Sequence, residues 1–405
     1  MINRENKLYK ILINNTLSGM SKINQCRKDF ILEVFILFLS IKGRINFLQL
    51  ARFGAFGEQR YRQQFEKPFP FLDFNKELVT THGSGRYVIA FDPSFINKSG
   101  KKTPGLGWYW SGCAGKSKRG IEIGGLAAID IDNHTAFHLE AVQTIKNDED
   151  QTLTYCYMNV IKERKETLLS ISKYLVADAW FSKKPFVDDV MSIKMHLISR
   201  LRDDADLRYI CIEPSTGKKG RPRKYTGKID IKNIDTEYFS LIEQNEESTI
   251  YSAIVYSKAL KRNIRLVYVK YIKLKGKQSI KLYFSTDIEL NPLDILLFYQ
   301  SRFQIEFLYR DSKQFTGLCD SQARSINKLH FHFNASLTAI NIAKVENWLS
   351  IDKNIRSQFS MSDIKTMNHN ALLLQRFFDV FGINQYSAKN RKYFNELIFY
   401  GTIAA

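Results

Sequence analysis

Cysteine is scarce in this chain. There are five in 405 residues (Cys26, Cys113, Cys156, Cys211 and Cys319), odd in number, scattered, and nowhere in C-x-x-C spacing. That argues against both a disulfide framework and a cysteine-based zinc site. Long apolar runs are missing too: the longest, residues 30–41, is too short to span a bilayer and is interrupted by Glu33. The N-terminus lacks a signal-peptide layout, because Asn14, Asn15 and Thr16 fill the place of an apolar segment. The expectation is a soluble, cytoplasmic chain. Acid is in deficit, with 41 Asp+Glu against 60 Lys+Arg and a net charge of +19. Such an excess calls for a polyanionic partner, nucleic acid first and an anionic membrane surface second. No internal repeat and no low-complexity tract occurs.

Apolar residues make up 44% of the chain and aromatics 13%, ample for two or three domains. Residues 1–80 carry helix-period apolar positions, notably 8–17 and 29–41. Within them a short helix, a turn holding Gly54 and Gly57, and a second helix with Arg60, Tyr61 and Arg62 read either as a DNA-binding helix-turn-helix or as a plain helical hairpin. Lys67-Pro-Phe-Pro70 ends that region. Residues 81–202 read as β-β-β-α-β-α-β. Two apolar strands end in acids, residues 87–92 at Asp92 and residues 174–178 at Asp178, and a helix is expected over 148–172. That order fits a mixed sheet with helices on its faces, functional groups gathering at the C-terminal ends of parallel strands. Residues 203–290 are β-rich and basic. Arg221, Arg223 and Lys224 lie in a Gly/Pro-containing loop, and nine Lys/Arg with no acid fall between Lys258 and Lys281. This face either contacts a nucleic-acid backbone or is a solvated ladder that blocks edge pairing. Residues 291–350 and a helical tail, 351–405, complete the chain. His330 and His332, two apart on a long helix, make a poor metal pair and read as structural.

One helix is expected from about Pro292 to Phe315, with proline at its first position and Gly317 past its end. At ~100° per residue, Tyr299, Arg302, Glu306 and Lys313 share an arc of roughly 60°. A carboxylate flanked by two cations and a phenol suits a divalent metal and phosphate oxygens, though a solvated face with i,i+4 pairs has the same pattern. Asp92, Asp178 and Glu306, brought together by a sheet, would supply hard oxygen ligands for one or two Mg²⁺ ions, with Mn²⁺ as an alternative. Such ions support in-line phosphoryl displacement. No histidine–cysteine set competes for a softer metal.

The Tyr299-x2-Arg302-x3-Glu306-x6-Lys313 spacing resembles the signature of the insertion-sequence-four family of bacterial DDE transposases. Phe91-Asp92 and Ala177-Asp178-Ala-Trp180-Phe resemble that family's first and second acid motifs. The gaps of 86 and 128 residues between successive acids match members with a β-rich insertion before the last acid. The resemblance covers roughly residues 45–350. It implies a ribonuclease-H-like α/β fold with a helical N-terminal DNA-binding region. Asp92, Asp178 and Glu306 would hold the metal, while Tyr299, Arg302 and Lys313 would grip phosphates near the transposon end. It implies terminal inverted repeats and target DNA as partners, a homodimeric synaptic complex, and a bacterial, nucleoid-associated setting. Members often stack a tryptophan of the insertion on a flipped base. No tryptophan lies between Trp180 and Trp348, so Trp180 or a tyrosine of the insertion would have to serve. Alternatives are a nuclease of the same fold that hydrolyses without joining, and a catalytically dead DNA-binding protein.

Overall fold

The computed structural model describes residues 2–146, 151–211, 224–272, 278–352, 354, 358–384 and 387–403. Five helices open the chain: α1 (Ile2–Ser18), α2 (Gln25–Ser40), α3 (Phe47–Phe53), α4 (Glu58–Glu66) and α5 (Phe71–His82). The starts of α2 and α3 follow from capping, since the Asn24 and Asn46 side chains accept the Arg27 and Gln49 N–H groups. Glu33, the acid in the apolar run, is not a misfit in α2. It accepts hydrogen bonds from the Ala55 N–H at 2.7 Å and from the hydroxyl of buried Tyr61, tying α2 to the α3–α4 turn.

The sheet begins with β1 (Tyr87–Asn97), β2 (Gly107–Ser111), β3 (Lys116–Asp130) and β4 (Thr135–Gln143). Next come α6 (Leu153–Lys162), α7 (Lys165–Leu169), β5 (Tyr174–Val176), α8 (Lys184–Ser192) and β6 (His196–Leu201). Two helices, α6 and α7, replace the single helix expected over 148–172; residues 147–150 lie outside the described residues. β1 pairs antiparallel with β3, β3 with β4, and β1 runs parallel to β5, which runs parallel to β6. Counted from β4, the order β4-β3-β1-β5-β6 is the ribonuclease-H-like arrangement that the family resemblance implied.

The basic β-rich stretch does not stand apart from this sheet. β7 (Leu207–Ile210), β8 (Tyr225–Lys228), β9 (Ser240–Gln244), β10 (Ser248–Ser257), β11 (Arg262–Ile272) and β12 (Gln278–Ser285) extend it. β12 pairs directly with β6, giving one twelve-stranded sheet. After β12 come α9 (Pro292–Ser301), α10 (Gln304–Phe315), α11 (Ile326–Ser350), α12 (Met361–Phe381) and α13 (Ala388–Ile398).

α11 is buried through most of its length, from Leu329 to Val345, and closes the free edge of β4. Asn341 bonds both the N–H and the carbonyl of His138, and Asn334 does the same for Ala141, all at 2.8–2.9 Å. Lys344 reaches the Ala136 carbonyl and Asn75 of α5 the Leu139 carbonyl. Side-chain amides thus complete the ladder an edge strand leaves open. One hydrophobic core runs from α1 and α2 through α11 to the sheet. No helix among the described residues is long and apolar enough to cross a membrane.

Candidate active site

Asp92 does not end its strand, as the sequence pattern implied, but sits in the middle of it: β1 runs on to Asn97. What ends beside Asp92 is the parallel pairing. β5 meets β1 only at Ile89 and Ala90, so Asp92 lies past that contact while still paired to Gly125 of β3 on its other side. Asp178 follows β5 by two residues and stands just before a 3-10 turn, Ala179–Phe181, and its carbonyl takes the Ser199 hydroxyl at 3.1 Å. The two acids therefore both lie at the C-terminal side of the parallel strands, where α/β sheets gather their chemistry.

The helix expected from Pro292 to Phe315 is two helices. Pro292 stands at the N-terminus of α9, where the Asn291 side chain caps the Leu293 N–H, and Gly317, at φ +70°, lies past the end of α10. Between them Arg302 and Phe303 keep right-handed torsions, but the N–H groups of Arg302, Ile305 and Glu306 bond carbonyls three residues back instead of four. The chain is overwound there for one turn. Apolar periodicity cannot register so short a change of pitch, which is why the spacing read as continuous.

This turn places the cationic face over both strand-borne acids. Arg302 Nη1 lies 3.7 Å from Asp92 Oδ1, and its Nη2 donates to Glu306 Oε1 at 2.9 Å. The Tyr299 hydroxyl reaches Asp178 Oδ1 at 3.5 Å. Lys313 Nζ donates to the hydroxyl of Ser94 at 2.9 Å, two residues along the same face of β1 as Asp92. Arg302 thus bridges two carboxylates that would otherwise repel.

The charge balance is tense. Burial, aided by Glu306 and Asp178 and opposed by Arg302 and Lys313, brings the Asp92 carboxyl up to about 7. Burial opposes the Arg302 charge, yet Asp92, Tyr299, Glu306 and Asp178 together hold its proton more tightly than usual. Burial and then Asp178 raise the Tyr299 phenol. Glu306 and Asp178 therefore both lie within electrostatic reach of Asp92. Among the described residues, however, no three His, Cys, Asp or Glu side chains form a ready-made metal cluster. The head of Glu306, 56% exposed, is engaged by Arg302. The donor set still fits a hard divalent cation: its oxygens are anionic, and a buried carboxylate with two like neighbours is relieved by added positive charge.

The other residues singled out in the sequence lie elsewhere. Arg62 is spent on Glu58 and on the Phe47 ring, 4.9 Å away, and Arg60 contacts Cys26. Trp180, 44% exposed, adjoins Asp178, with Lys183 Nζ 3.5 Å above its ring. Lys224 is exposed just before β8, the far end of the strand order, and Arg221 and Arg223 lie outside the described residues. His330 contacts Glu140 and His332 the Gly317 carbonyl, so both are structural.

Sequence reasoning missed three residues. Tyr309, buried in α10, donates to the Asp92 carbonyl at 2.7 Å. Gly125 makes room for it, since a Cβ there would lie 1.8 Å from the Tyr309 oxygen. Ser94 holds Lys313. Tyr309 shares the helix face of Arg302, seven residues on, but an apolar-looking ring at helical spacing reads as core.

The family profile described as a transposase DDE domain matches residues 83–342, well over half of the chain, a span that holds Asp92, Asp178, Tyr299, Arg302, Glu306 and Lys313. The chain belongs to the DDE transposases. This DDE transposase is accordingly a DNA-cleaving enzyme, and DNA is its partner. Transposases of this kind generally use divalent metal ions. Among solved structures, one of piggyBac transposase in a synaptic complex with hairpin DNA matches at 12% identity and a TM-score of 0.41, covering 91% of this chain and 74% of that one. No curated protein matches.

Proposed function

We propose that this transposase belongs to the insertion-sequence-four group, cuts the ends of its element and joins them to target DNA by in-line phosphoryl transfer. The observation that carries the reading is the α9–α10 turn, which lays Tyr299 on Asp178 and Arg302 on both Asp92 and Glu306. Asp92, Asp178 and Glu306 would hold Mg²⁺, or Mn²⁺ in its place. Bound there, the ions supply Lewis-acid polarisation of the scissile phosphate and a more acidic attacking oxygen. Arg302 and Lys313 neutralise phosphate charge in a partly buried cleft, where ionic contacts are stronger than in bulk water. Freed from Glu306 by an incoming phosphate, the planar Arg302 guanidinium offers it a two-pronged donor. Tyr299 presents a phenol to the same backbone. Tyr309 fixes the height of β1 against α10, and with it the position of Asp92.

In this reading residues 1–80 form a helical DNA-binding region and residues 81–202 and 291–350 the catalytic core. Residues 203–290, with Arg221, Arg223 and Lys224, form a basic β extension along the bound end, and 351–405 a C-terminal helical region. Two copies would act together in a synaptic complex at the terminal inverted repeats. The test is a pair of assays, nicking of an end-bearing duplex and joining of a pre-cleaved end, with and without Mg²⁺. Both should need the metal, and Glu306→Ala should abolish both. Nicking without joining would leave a nuclease; metal-dependent cleavage that survives in Glu306→Ala would remove the acid assignment.

A further inference from the structure

β1 stops at Asn97, opposite Gly120 of β3, and β4 does not begin to pair with β3 until Ile123. Before both limits, over residues 116–119, β3 has one strand neighbour, β2, paired from Gly107↔Gly120 to Ser111↔Lys116. A two-stranded ribbon therefore projects beyond the sheet. On one face it carries Trp108 and Trp110, 74% and 66% exposed, with Arg119 directly across from Trp108. Large aromatic rings so exposed gain nothing by burial in this chain. The other face is folded back on itself, the Tyr109 hydroxyl donating to the Gly105 carbonyl at 2.9 Å.

Charge says what covers the ribbon. Residues 98–119 hold six Lys/Arg (Lys98, Lys101, Lys102, Lys116, Lys118 and Arg119) and no acid. At the root of the ribbon is a cavity of about 550 Å³ whose walls include Arg44, Lys98, Lys101, Lys102 and Arg324. Its one acid, Asp320, is engaged with the Ile45 N–H at 2.8 Å. Lys98 donates to the Ser321 carbonyl, and burial together with nearby Arg324 brings its ammonium down to about 8. Cations crowded in a concave site without a carboxylate partner favour an anion. A second copy of this chain, itself at +19, would bring like charge to the same face.

We infer that the β2–β3 ribbon is an arm for unpaired DNA, with Trp108 and Trp110 stacking on exposed bases and the cationic cavity at its root holding backbone phosphates. A basic groove interleaved with free aromatic faces is how proteins hold single strands without reading sequence. The root of the arm lies five residues along β1 from Asp92, so strands opened at the acid site have a short path to it. The inference takes from the reading above only that the polyanion is DNA.

The experiment uses the full chain in EDTA, so that binding is read without cleavage. Oligo-deoxythymidine and a blunt duplex are titrated while tryptophan fluorescence and anisotropy are followed. Wild type should show quenching with the single strand. The variant Trp108→Ala/Trp110→Ala should lose roughly tenfold or more in single-strand affinity and much less in duplex affinity, and the Phe/Phe variant should recover most of the loss. Lys98→Gln/Arg324→Gln should flatten the salt dependence for the single strand by about 0.7 per lost contact. Both tryptophans are exposed, so thermal stability should not move. Unchanged single-strand affinity in the Ala/Ala variant overturns the inference, as does a change in sedimentation of the free protein in place of a change in binding. Cleavage by Glu306→Gln, measured separately, tests the acid site and leaves the arm untouched.

Discussion

Exchanging Gly125 for alanine should disable the enzyme at a position that bears no functional group. The added Cβ would lie 1.8 Å from the Tyr309 oxygen and 2.9 Å from its Cζ, against a comfortable separation of about 3.5 Å. Tyr309 is buried and cannot swing away, so β1–β3 and α10 must part, and the hydroxyl loses the Asp92 carbonyl. Overpacking of this kind costs about 1–3 kcal/mol, and a stranded buried hydroxyl adds about 1–3 kcal/mol. Tyr309→Phe alone should cost about 1 kcal/mol. In the double variant the 1.8 Å conflict is gone and only the 2.9 Å approach remains, so its loss should fall well short of the sum of the single losses. Urea unfolding of the four proteins gives the coupling. Nicking activity should follow the same pattern, with Gly125→Ala far below the double variant. Additive stabilities, or a Gly125→Ala enzyme of normal activity, would show that Tyr309 does not set the position of Asp92.

Glu33→Ala should remove the acceptor of the buried Tyr61 hydroxyl, costing about 1–3 kcal/mol by urea unfolding, and Tyr61→Phe in that background should add little. Alanine at Arg302 or Lys313 should each lower the salt slope of duplex binding by about one, read by anisotropy in EDTA; an unchanged slope removes that residue from the phosphate contacts. His138 and His332 are held down to about 4 by burial, against an ordinary 6.5. Between those values the unfolded chain binds more protons than the folded one, so stability should rise with pH across that window and fall on acidification, by up to about 3 kcal/mol per histidine. Urea midpoints at pH 5 and pH 7 check this, and His332→Gln should flatten the difference.

The features legible in the sequence were those with a period or a spacing. Apolar strand runs and the Tyr299–Lys313 interval pointed to Asp92, Asp178, Tyr299, Arg302 and Glu306, which the structure brings into contact in pairs. The single-turn overwinding at Arg302 and Phe303 was not legible, since torsions within the right-handed helical region carry no residue signature. The end of β1 was misplaced because Pro93 and Ser94, weak strand formers, follow Asp92, and pairing to the long β3 carries the strand past them. The role of Tyr309 depends on a glycine in another strand, a long-range relation no local pattern contains. The exposure of Trp108 and Trp110 depends likewise on where β1 and β4 stop pairing with β3.

β12 sits beside β6, and α9 follows β12. Tyr299 and Arg302 thus meet Asp178 and Asp92 only after the polypeptide has made a long excursion along the sheet and returned. A nascent chain that has emerged as far as β11 already holds Asp92 and Asp178, but not the turn that bears Arg302 and Glu306. Under the proposed assignment, chains terminated inside that excursion should be inert. Strand scission would then be reserved for molecules whose synthesis has run past the returning strand.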